Sequence, residues 1–146
     1  MEYSFDKSLG NLSRVISKSL GANLEKRIVN NHINLTSEHW SIISLLHHVT
    51  NLNQNAIAKA FGFDKVRVLR ILNKLETEKI ITRTTDELDK RSRIVNLTEY
   101  GMILYKEITP LAQETLNDAF KSFTDEEVLL YMKLSKKIIE NLNSIA

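Results

Sequence analysis

The segment QNAIAKAFGFDKVRVLRILN, residues 54–73, constrains the fold of this chain more than any other. Its apolar and turn residues have the spacing of two short helices joined by a tight turn. Ala58 provides the small side chain that a close helix crossing needs, and Gly62 stands where the turn requires a positive φ. Asp64 follows as an N-cap whose carboxylate can accept the free backbone N–H groups of the second helix. The segment therefore predicts a helix-turn-helix.

The second helix of this pair has two unlike faces. At roughly 100° per residue, one stripe is apolar and consists of Val68, Ile71, Leu72 and Leu75. The opposite side has no acidic residue and consists of Val66, Arg67, Arg70, Asn73 and Lys74. A helix with such a face can lie in the major groove of DNA. The alternative is an ordinary helical hairpin with a solvated polar face, which explains the basic residues but not the joint presence of Ala58, Gly62 and Asp64.

Length and composition restrict the remaining possibilities. With 146 residues the chain is expected to form one domain, residues 1–146, and its net charge of +2 means that any nucleic-acid surface is local. The absence of cysteine excludes disulfides, cysteine zinc sites and thiol-based redox sensing. There is no apolar run of membrane-spanning length and no signal-peptide pattern, so we expect a cytoplasmic protein without a membrane partner.

Helical periodicity continues on both sides of the helix-turn-helix. Apolar residues every three or four positions predict one long amphipathic helix from Phe5 to Ile28. Thr36 and Thr98 are expected to cap the helices that follow them, and Thr124 with Glu127 has the spacing of a capping box. Pro110 lies inside the penultimate helical pattern, so we expect a kink or an interruption there.

A two-stranded ribbon is predicted directly after the second helix of the pair. Residues 80–84 and 93–97 are β-prone and flank a polar tip, residues 85–92, which is the arrangement of the wing in a winged helix. Arg91 and Arg93 are placed to reach backbone phosphate or the minor groove. The acidic residues of the tip also suit a solvated hairpin. One reconciliation is that Asp89 orients Arg91 through a charge-assisted hydrogen bond.

The resulting fold class is mainly α with a small β wing, a winged helix-turn-helix flanked by N- and C-terminal helices. The apolar stripes of the outermost helices exceed what a small winged-helix core can cover, and such stripes usually find a partner. A second copy of the chain is the simplest partner. The alternative is intramolecular packing of the first helix on the last, and we expect both, with the termini of two chains interleaved.

From about Leu9 to about Leu142 the sequence resembles the MarR (multiple antibiotic resistance regulator) family of bacterial transcription factors. The segments that carry the resemblance are LTSEHW at 35–40, the helix-turn-helix, Asp89-x-Arg91, VNLT at 95–98, Gly101, Pro110 and TDEE at 124–127. The resemblance implies a homodimer formed by residues of about 1–30 and 110–146, with a DNA-binding lobe at about 36–98. It also implies two recognition helices in successive major grooves of a pseudo-palindromic operator, and wings in adjacent minor grooves.

The resemblance places Lys65, Val66, Arg67 and Arg70 at recognition-helix positions and Arg91 at the wing arginine. The expected DNA-binding set is Lys65, Val66, Arg67, Arg70, Asn73, Lys74, Arg91 and Arg93. Relatives commonly have small hydroxyl residues around Val66, Arg67 and Leu69. Here Val66 can instead touch a thymine methyl, and Arg67 can read guanine or phosphate. Lys79 occupies a position that is usually glycine, so a left-handed backbone there would cost on the order of 1 kcal/mol.

Many relatives are released from DNA by a small phenolic or lipophilic ligand in a crevice between the dimer helices and the winged helix. The candidate residues for such a crevice are Arg14, His39, Trp40 and His47. The alternative is that Trp40 belongs to the core and the histidines are partly exposed. No metal site is expected, because the zinc-sensing branch of the family draws histidines from the helix after the wing, where this chain has none.

No nucleophile with a positioned base, no paired buried carboxylates and no glycine-rich phosphate loop stand out, so neither an enzyme nor a cofactor is expected. The sequence thus predicts a homodimeric, sequence-specific double-stranded-DNA-binding transcriptional regulator, a repressor relieved by a small aromatic or lipophilic ligand. The alternative is a winged-helix protein-interaction module without specific DNA binding, which the acidic wing tip and the unusual Val66 favour.

Overall fold

A computed structural model describes residues 1–145 of the chain, and within them every side chain except that of Asp6. A 3-10 turn at Phe5–Lys7 precedes nine regular elements. They are α1 (Leu9–Asn30), α2 (Ser37–His48), β1 (Leu52–Asn53), α3 (Gln54–Phe61), α4 (Lys65–Thr77), β2 (Ile81–Thr85), β3 (Arg93–Leu97), α5 (Glu99–Ala119) and α6 (Asp125–Asn143). The predicted fold class, mainly α with a small β wing, is confirmed. No helix in residues 1–145 is both long enough and apolar enough to cross a membrane.

The β-structure is an antiparallel sheet of three strands in the order β1-β3-β2. The wing strands β2 and β3 pair with Arg83 opposite Val95, and β1 adds to the other edge of β3 with Leu52 opposite Val95. The sequence predicted only the two wing strands, because two residues are too few to show an alternating pattern. Strand β2 begins at Ile81 instead of Ile80, since the Ile80 N–H donates to the Leu75 carbonyl and closes α4.

The core lies between α2, α4, α5 and the sheet. Its fully buried side chains include Ile28, Ile42, Ile43, Ile57, Leu72, Leu75, Ile80, Ile81, Val95 and Ile108. These residues come from α2, α3, α4, β2, β3 and the loop after α4, as well as from α1 and α5. Helix α6, by contrast, buries none of its residues among those described. The core of one chain therefore includes the winged helix and parts of α1 and α5, and it leaves α6 uncovered.

The predicted helix-turn-helix is present with the expected turn. Gly62 adopts φ = 64°, and the Phe63 N–H returns to the Ala58 carbonyl at 3.0 Å. The Asp64 carboxylate accepts the backbone N–H of Arg67 at 2.8 Å and so caps α4. The turn and the cap are local features, which explains why the sequence alone was sufficient to predict them.

One prediction about a helix start is wrong, and of the kink or interruption expected at Pro110 the interruption does not occur. Helix α1 begins at Leu9, not at Phe5, because the Ser8 hydroxyl accepts the Asn11 N–H at 3.2 Å and caps the helix there. Pro110 does not interrupt α5, which runs through it. The proline ring is exposed, and burial of Ile108 and Thr115 on either side outweighs the loss of one helical hydrogen bond.

Helix α4 ends in a Schellman motif in which Lys79 has φ = 61°. The Lys79 N–H donates to the Glu76 carbonyl at 2.9 Å and the Ile80 N–H to the Leu75 carbonyl at 2.9 Å. Of the two cases that the sequence left open at this position, the left-handed backbone is the one present. The buried side chains of Leu75 and Ile80 provide the hydrophobic contact that accompanies this motif.

Thr98 joins the end of the wing, the end of α4 and the start of α5. Its hydroxyl donates to the Lys79 carbonyl at 2.6 Å and accepts the Gly101 N–H at 3.0 Å, and its backbone N–H donates to the Ile80 carbonyl at 3.0 Å. A Cβ at Gly101 would clash with the Ile80 carbonyl oxygen. Glycine at this position is therefore a condition for the close approach of α5 to the end of α4.

We expect Lys79→Gly to raise the free energy of unfolding by about 0.5–1 kcal/mol, because the left-handed strain of a non-glycine residue exceeds the entropic cost of glycine. Urea denaturation at a fixed protein concentration measures this change. Lys79→Ala removes the same charge and keeps the Cβ, so it should not stabilise the protein. Equal stabilisation by both variants would attribute the effect to charge instead of backbone strain.

Candidate nucleic-acid interface and the adjacent cleft

Helix α4 presents its predicted apolar stripe to the core and its other side to solvent. Val68, Ile71, Leu72 and Leu75 are buried. At the centre of the outward side, Val66 is 77% exposed, and Leu69, one turn further along the helix, is 46% exposed. Lys65 and Arg70 are exposed beside them, and Lys74 is half-buried and pairs with Glu78 at 3.5 Å.

Arg67 points to the edge of this surface. Its guanidinium forms an ion pair with Glu38 of α2, and its Cζ lies 3.8 Å from the centroid of the Phe63 ring. The sequence showed no acidic residue on the face of α4, and the acid that pairs with Arg67 comes from a different helix. Arg67 therefore links the first turn of α4 to the first turn of α2.

Arg83 of β2 forms a hydrogen-bonded hub behind the outward face of α4. Its guanidinium donates to Asn73 Oδ1 at 2.7 Å, to Glu76 Oε1 at 2.8 Å and to Gln54 Oε1 at 3.3 Å. The hydrogen bond from Arg83 lowers the pKa of the Glu76 carboxyl below its usual value. Asn73 is thus already engaged inside the protein, and the wing is attached to α3 and α4.

The sequence analysis did not identify Arg83. One signal was present: Arg83 lies two residues after Ile81 in a β-strand, so the two side chains share a face, and that face is the buried one. The strand pattern does not predict the partners of Arg83, because Gln54 and Asn73 lie on α3 and α4.

The wing tip is folded by its own aspartates. The Asp86 carboxylate accepts the Leu88 N–H at 2.9 Å, and the Asp89 carboxylate accepts the Arg91 N–H at 3.0 Å. The expected pairing of Asp89 with the Arg91 side chain is wrong, because this carboxylate bonds to the backbone of Arg91 in an Asx turn. Within residues 1–145, the exposed side chains of Arg91 and Arg93 form no ion pair.

A cleft of about 830 Å³ separates α1 and α5 from the winged helix. Its lining includes the aromatic side chains of Trp40, Phe61 and Phe63 and the charged side chains of Lys18, Glu38 and Arg67. The cleft therefore has aromatic walls and contains the ion pair between Glu38 of α2 and Arg67 of α4.

Of the four residues expected in a ligand crevice, Trp40 alone is part of the cleft lining. Trp40 stacks on Tyr105 at a centroid distance of 5.4 Å, and His47 stacks on the same ring at 3.7 Å. Arg14 is exposed on α1 and donates to Asn11 at 2.9 Å. The structure thus joins Trp40 and His47 through Tyr105 and leaves Arg14 apart.

His39 has a capping role. Its Nδ1 accepts the Thr36 N–H at 2.9 Å while the Thr36 hydroxyl accepts the His39 N–H, which completes a capping box. An accepting Nδ1 leaves the ring proton on Nε2. Burial, followed by the nearby charge of Lys74, lowers the pKa of His39 from its usual value. No group of three or more metal-ligating side chains occurs in the described part of the chain.

Comparison with known proteins agrees with this architecture. The MarR family model matches residues 33–92, from the loop before α2 to the wing tip. A MarR/EmrR family transcriptional regulator from Acinetobacter sp. ADP1 is 25% identical, with 97% of this chain and 99% of that chain covered and a TM-score of 0.85.

Two other solved structures share the fold. The S. aureus MepR–DNA complex is 24% identical, with 96% of this chain and 99% of that chain covered and a TM-score of 0.79. Bordetella bronchiseptica BpsR, described with a mechanism for regulation of its DNA binding by 6-hydroxynicotinic acid, is 22% identical, with 94% and 97% covered and a TM-score of 0.81.

The fold is that of a winged-helix protein, and the segment matched by the family model is the winged helix itself. This match to the MarR family model agrees with the resemblance seen in the sequence. The similar protein from Acinetobacter is described as a transcriptional regulator.

We expect Arg83→Met to lower the free energy of unfolding by roughly 1–3 kcal/mol, because hydrogen bonds to a largely buried charged group are removed. Urea denaturation at a fixed protein concentration measures the change. Arg93→Met is the matched control, since Arg93 is exposed on the neighbouring strand, and its effect should stay within about 0.5 kcal/mol. If the two variants were equally stable, the hub would have no structural importance.

Proposed function

We propose that this protein is a homodimeric, sequence-specific double-stranded-DNA-binding transcriptional regulator, a repressor released from its operator by a small ligand. The main support is the exposed outward face of α4, with Lys65 and Arg70, together with the exposed wing arginines Arg91 and Arg93. A recognition helix of this kind enters the major groove, and wing arginines suit the minor groove or the backbone.

The DNA contacts divide into three groups. Lys65, Val66 and Arg70 are exposed on the first half of α4, where recognition helices contact base edges. Lys74, Arg91 and Arg93 supply positive charge for the phosphates. Arg67 and Asn73 remain in the proposed set, although Arg67 is paired with Glu38 and the Asn73 amide oxygen accepts from Arg83.

The proposed dimer uses residues of about 1–30 and 110–146, and residues 36–98 form the DNA-binding lobe. The first half of α1 exposes Leu9, Leu12, Val15 and Ile16, and α6 exposes Leu129, Leu130, Met132, Leu134, Ile138, Ile139 and Leu142. Apolar surface of this extent is typical of an interface between subunits. A two-fold axis then presents two α4 helices to a pseudo-palindromic site.

The proposed effector is a small aromatic or lipophilic molecule in the cleft between the dimer helices and the winged helix. The support is the aromatic lining and the position of Arg67, which belongs to both the cleft and α4. An anionic ligand would compete with Glu38 for the Arg67 guanidinium. Such an exchange would alter how α4 is attached to α2, which connects the cleft to the DNA-binding surface.

A protein-interaction module without specific DNA binding is the second candidate. It is favoured by the exposed apolar side chains of Val66 and Leu69, because exposed apolar residues also suit a protein partner. The basic residues on the same surface and the free wing arginines favour DNA.

We expect selection from a random duplex library to enrich a pseudo-palindromic site whose binding weakens steeply with salt, since phosphate contacts release counterions. Arg91→Ala should reduce the salt slope by about 2 per dimer, because each subunit then neutralises one phosphate fewer. Arg70→Ala should weaken binding by about 1–3 kcal/mol if it reads a base. Lys106→Ala removes an exposed charge of α5 and should leave affinity unchanged.

The oligomeric state, measured together with the duplex selection, distinguishes the DNA-binding regulator from the protein-interaction module. Sedimentation velocity should show a dimer for the full chain and for both arginine variants. If no duplex is enriched while the dimer is intact, the interaction module is the correct function. If the full chain is a monomer at micromolar concentration, the proposed arrangement of α1 and α6 is wrong.

Trp40 is the only tryptophan of the chain, so its fluorescence reports directly on the cleft. We expect benzoate or 2-hydroxybenzoate to quench Trp40 and to release the selected duplex over the same concentration range. Arg67→Gln should weaken the binding of these acids by about 1–3 kcal/mol through loss of the charged hydrogen bond. Cyclohexanecarboxylate serves as the non-aromatic control. Unchanged fluorescence and unchanged DNA affinity with every acid would contradict an aromatic-acid effector.

A further inference from the structure

The centre of the outward face of α4 is apolar. Val66 lies opposite the buried stripe and is 77% exposed, and Leu69 is 46% exposed one turn further along. Residues three apart on a helix are neighbours on its surface, so these two side chains form one apolar patch. No other part of residues 1–145 covers this patch.

The charged residues that the first turns of α4 contribute around the patch are all positive. Lys65 and Arg70 are exposed beside it, and α4 contains no acidic residue before Glu76. Arg67 is held at the edge by Glu38 and Phe63. The first turns of α4 therefore offer methyl groups at the centre and cations at the sides, which suits a polyanion with an apolar group on its surface.

Valine and leucine side chains have no hydrogen-bonding atoms, so they can distinguish bases only by apolar contact. In the major groove of DNA, the C5 methyl of thymine is the apolar group that a base pair presents. Cytosine presents an amino donor and no methyl group in the same groove. A helix with this surface discriminates bases by the presence of a methyl group.

We propose that Val66, supported by Leu69, recognises thymine through its C5 methyl group, so that each half-site of the operator contains a thymine facing the first turns of α4. This proposal rests on the proposed DNA-binding function and adds the base that the helix reads. Val66 is the residue that determines specificity at this thymine.

Deoxyuridine tests this proposal, because it pairs with adenine as thymine does and lacks only the C5 methyl. The selected duplex is prepared with single thymine positions replaced by deoxyuridine, symmetrically in both half-sites. At one position we expect the wild-type dimer to lose about fourfold in affinity for each methyl removed, and about 15-fold for the symmetric pair. All other positions should have little effect.

Val66→Ala removes the contacting methyl groups and preserves a good helix former. We expect this variant to bind the thymine and deoxyuridine duplexes equally, with the affinity of the wild type for deoxyuridine. Ile103→Ala is the matched control, since Ile103 is 49% exposed on α5, outside both the proposed dimer segments and the proposed DNA-binding lobe. Its discrimination between the two duplexes should equal that of the wild type.

The results distinguish the two levels of the proposal. Failure to enrich or bind any duplex overturns the DNA-binding function, and methyl recognition with it. A bound operator at which no deoxyuridine substitution matters overturns methyl recognition alone. Discrimination that persists in Val66→Ala overturns the assignment to Val66. Loss of discrimination in Val66→Ala, with normal discrimination in Ile103→Ala, supports it.

Discussion

Burial of one face of α4 is the constraint on which the other features of this molecule depend. Val68, Ile71, Leu72 and Leu75 fill the core between α2, α5 and the sheet, so the rotation of α4 about its own axis is fixed. A helix with a fixed rotation has a fixed outward face. The residues that meet solvent are therefore determined by the residues that meet the core, and the surface offered to a ligand follows from packing.

Local features of this fold were predictable because they depend on residues close together in sequence. The turn at Gly62, the Asp64 cap and the capping box of Thr124 with Glu127 each involve a few consecutive positions. The left-handed backbone at Lys79 was only one of two cases that the resemblance left open, since helix periodicity alone does not reveal it. The four-residue stripe of α4 was predicted for the same reason as the caps: its spacing repeats along one helix.

Long-range polar contacts were not predictable, and they change the description of the candidate site. Glu38 and Arg67 are 29 positions apart in sequence, as are Gln54 and Arg83, so no local pattern connects either pair. The first contact holds Arg67 at the edge of the outward face of α4, and Arg83 also donates to the Asn73 amide oxygen of that face. The exposed valine at the centre therefore becomes more prominent in the structure than in the sequence.

The hydrogen bonds of Thr98 hold the end of the wing, the end of α4 and the start of α5 together. Strand β3 ends one residue before Thr98, α5 begins one residue after it, and its hydroxyl is bonded to the trailing end of α4. The close approach of Gly101 to the Ile80 carbonyl oxygen restricts movement of α5 relative to the end of α4. The leading end of α4 is tied instead to α2 through Glu38. The wing and the trailing end of α4 therefore share one hydrogen-bonded anchor at the start of α5, so the position of α5 determines the spacing between them.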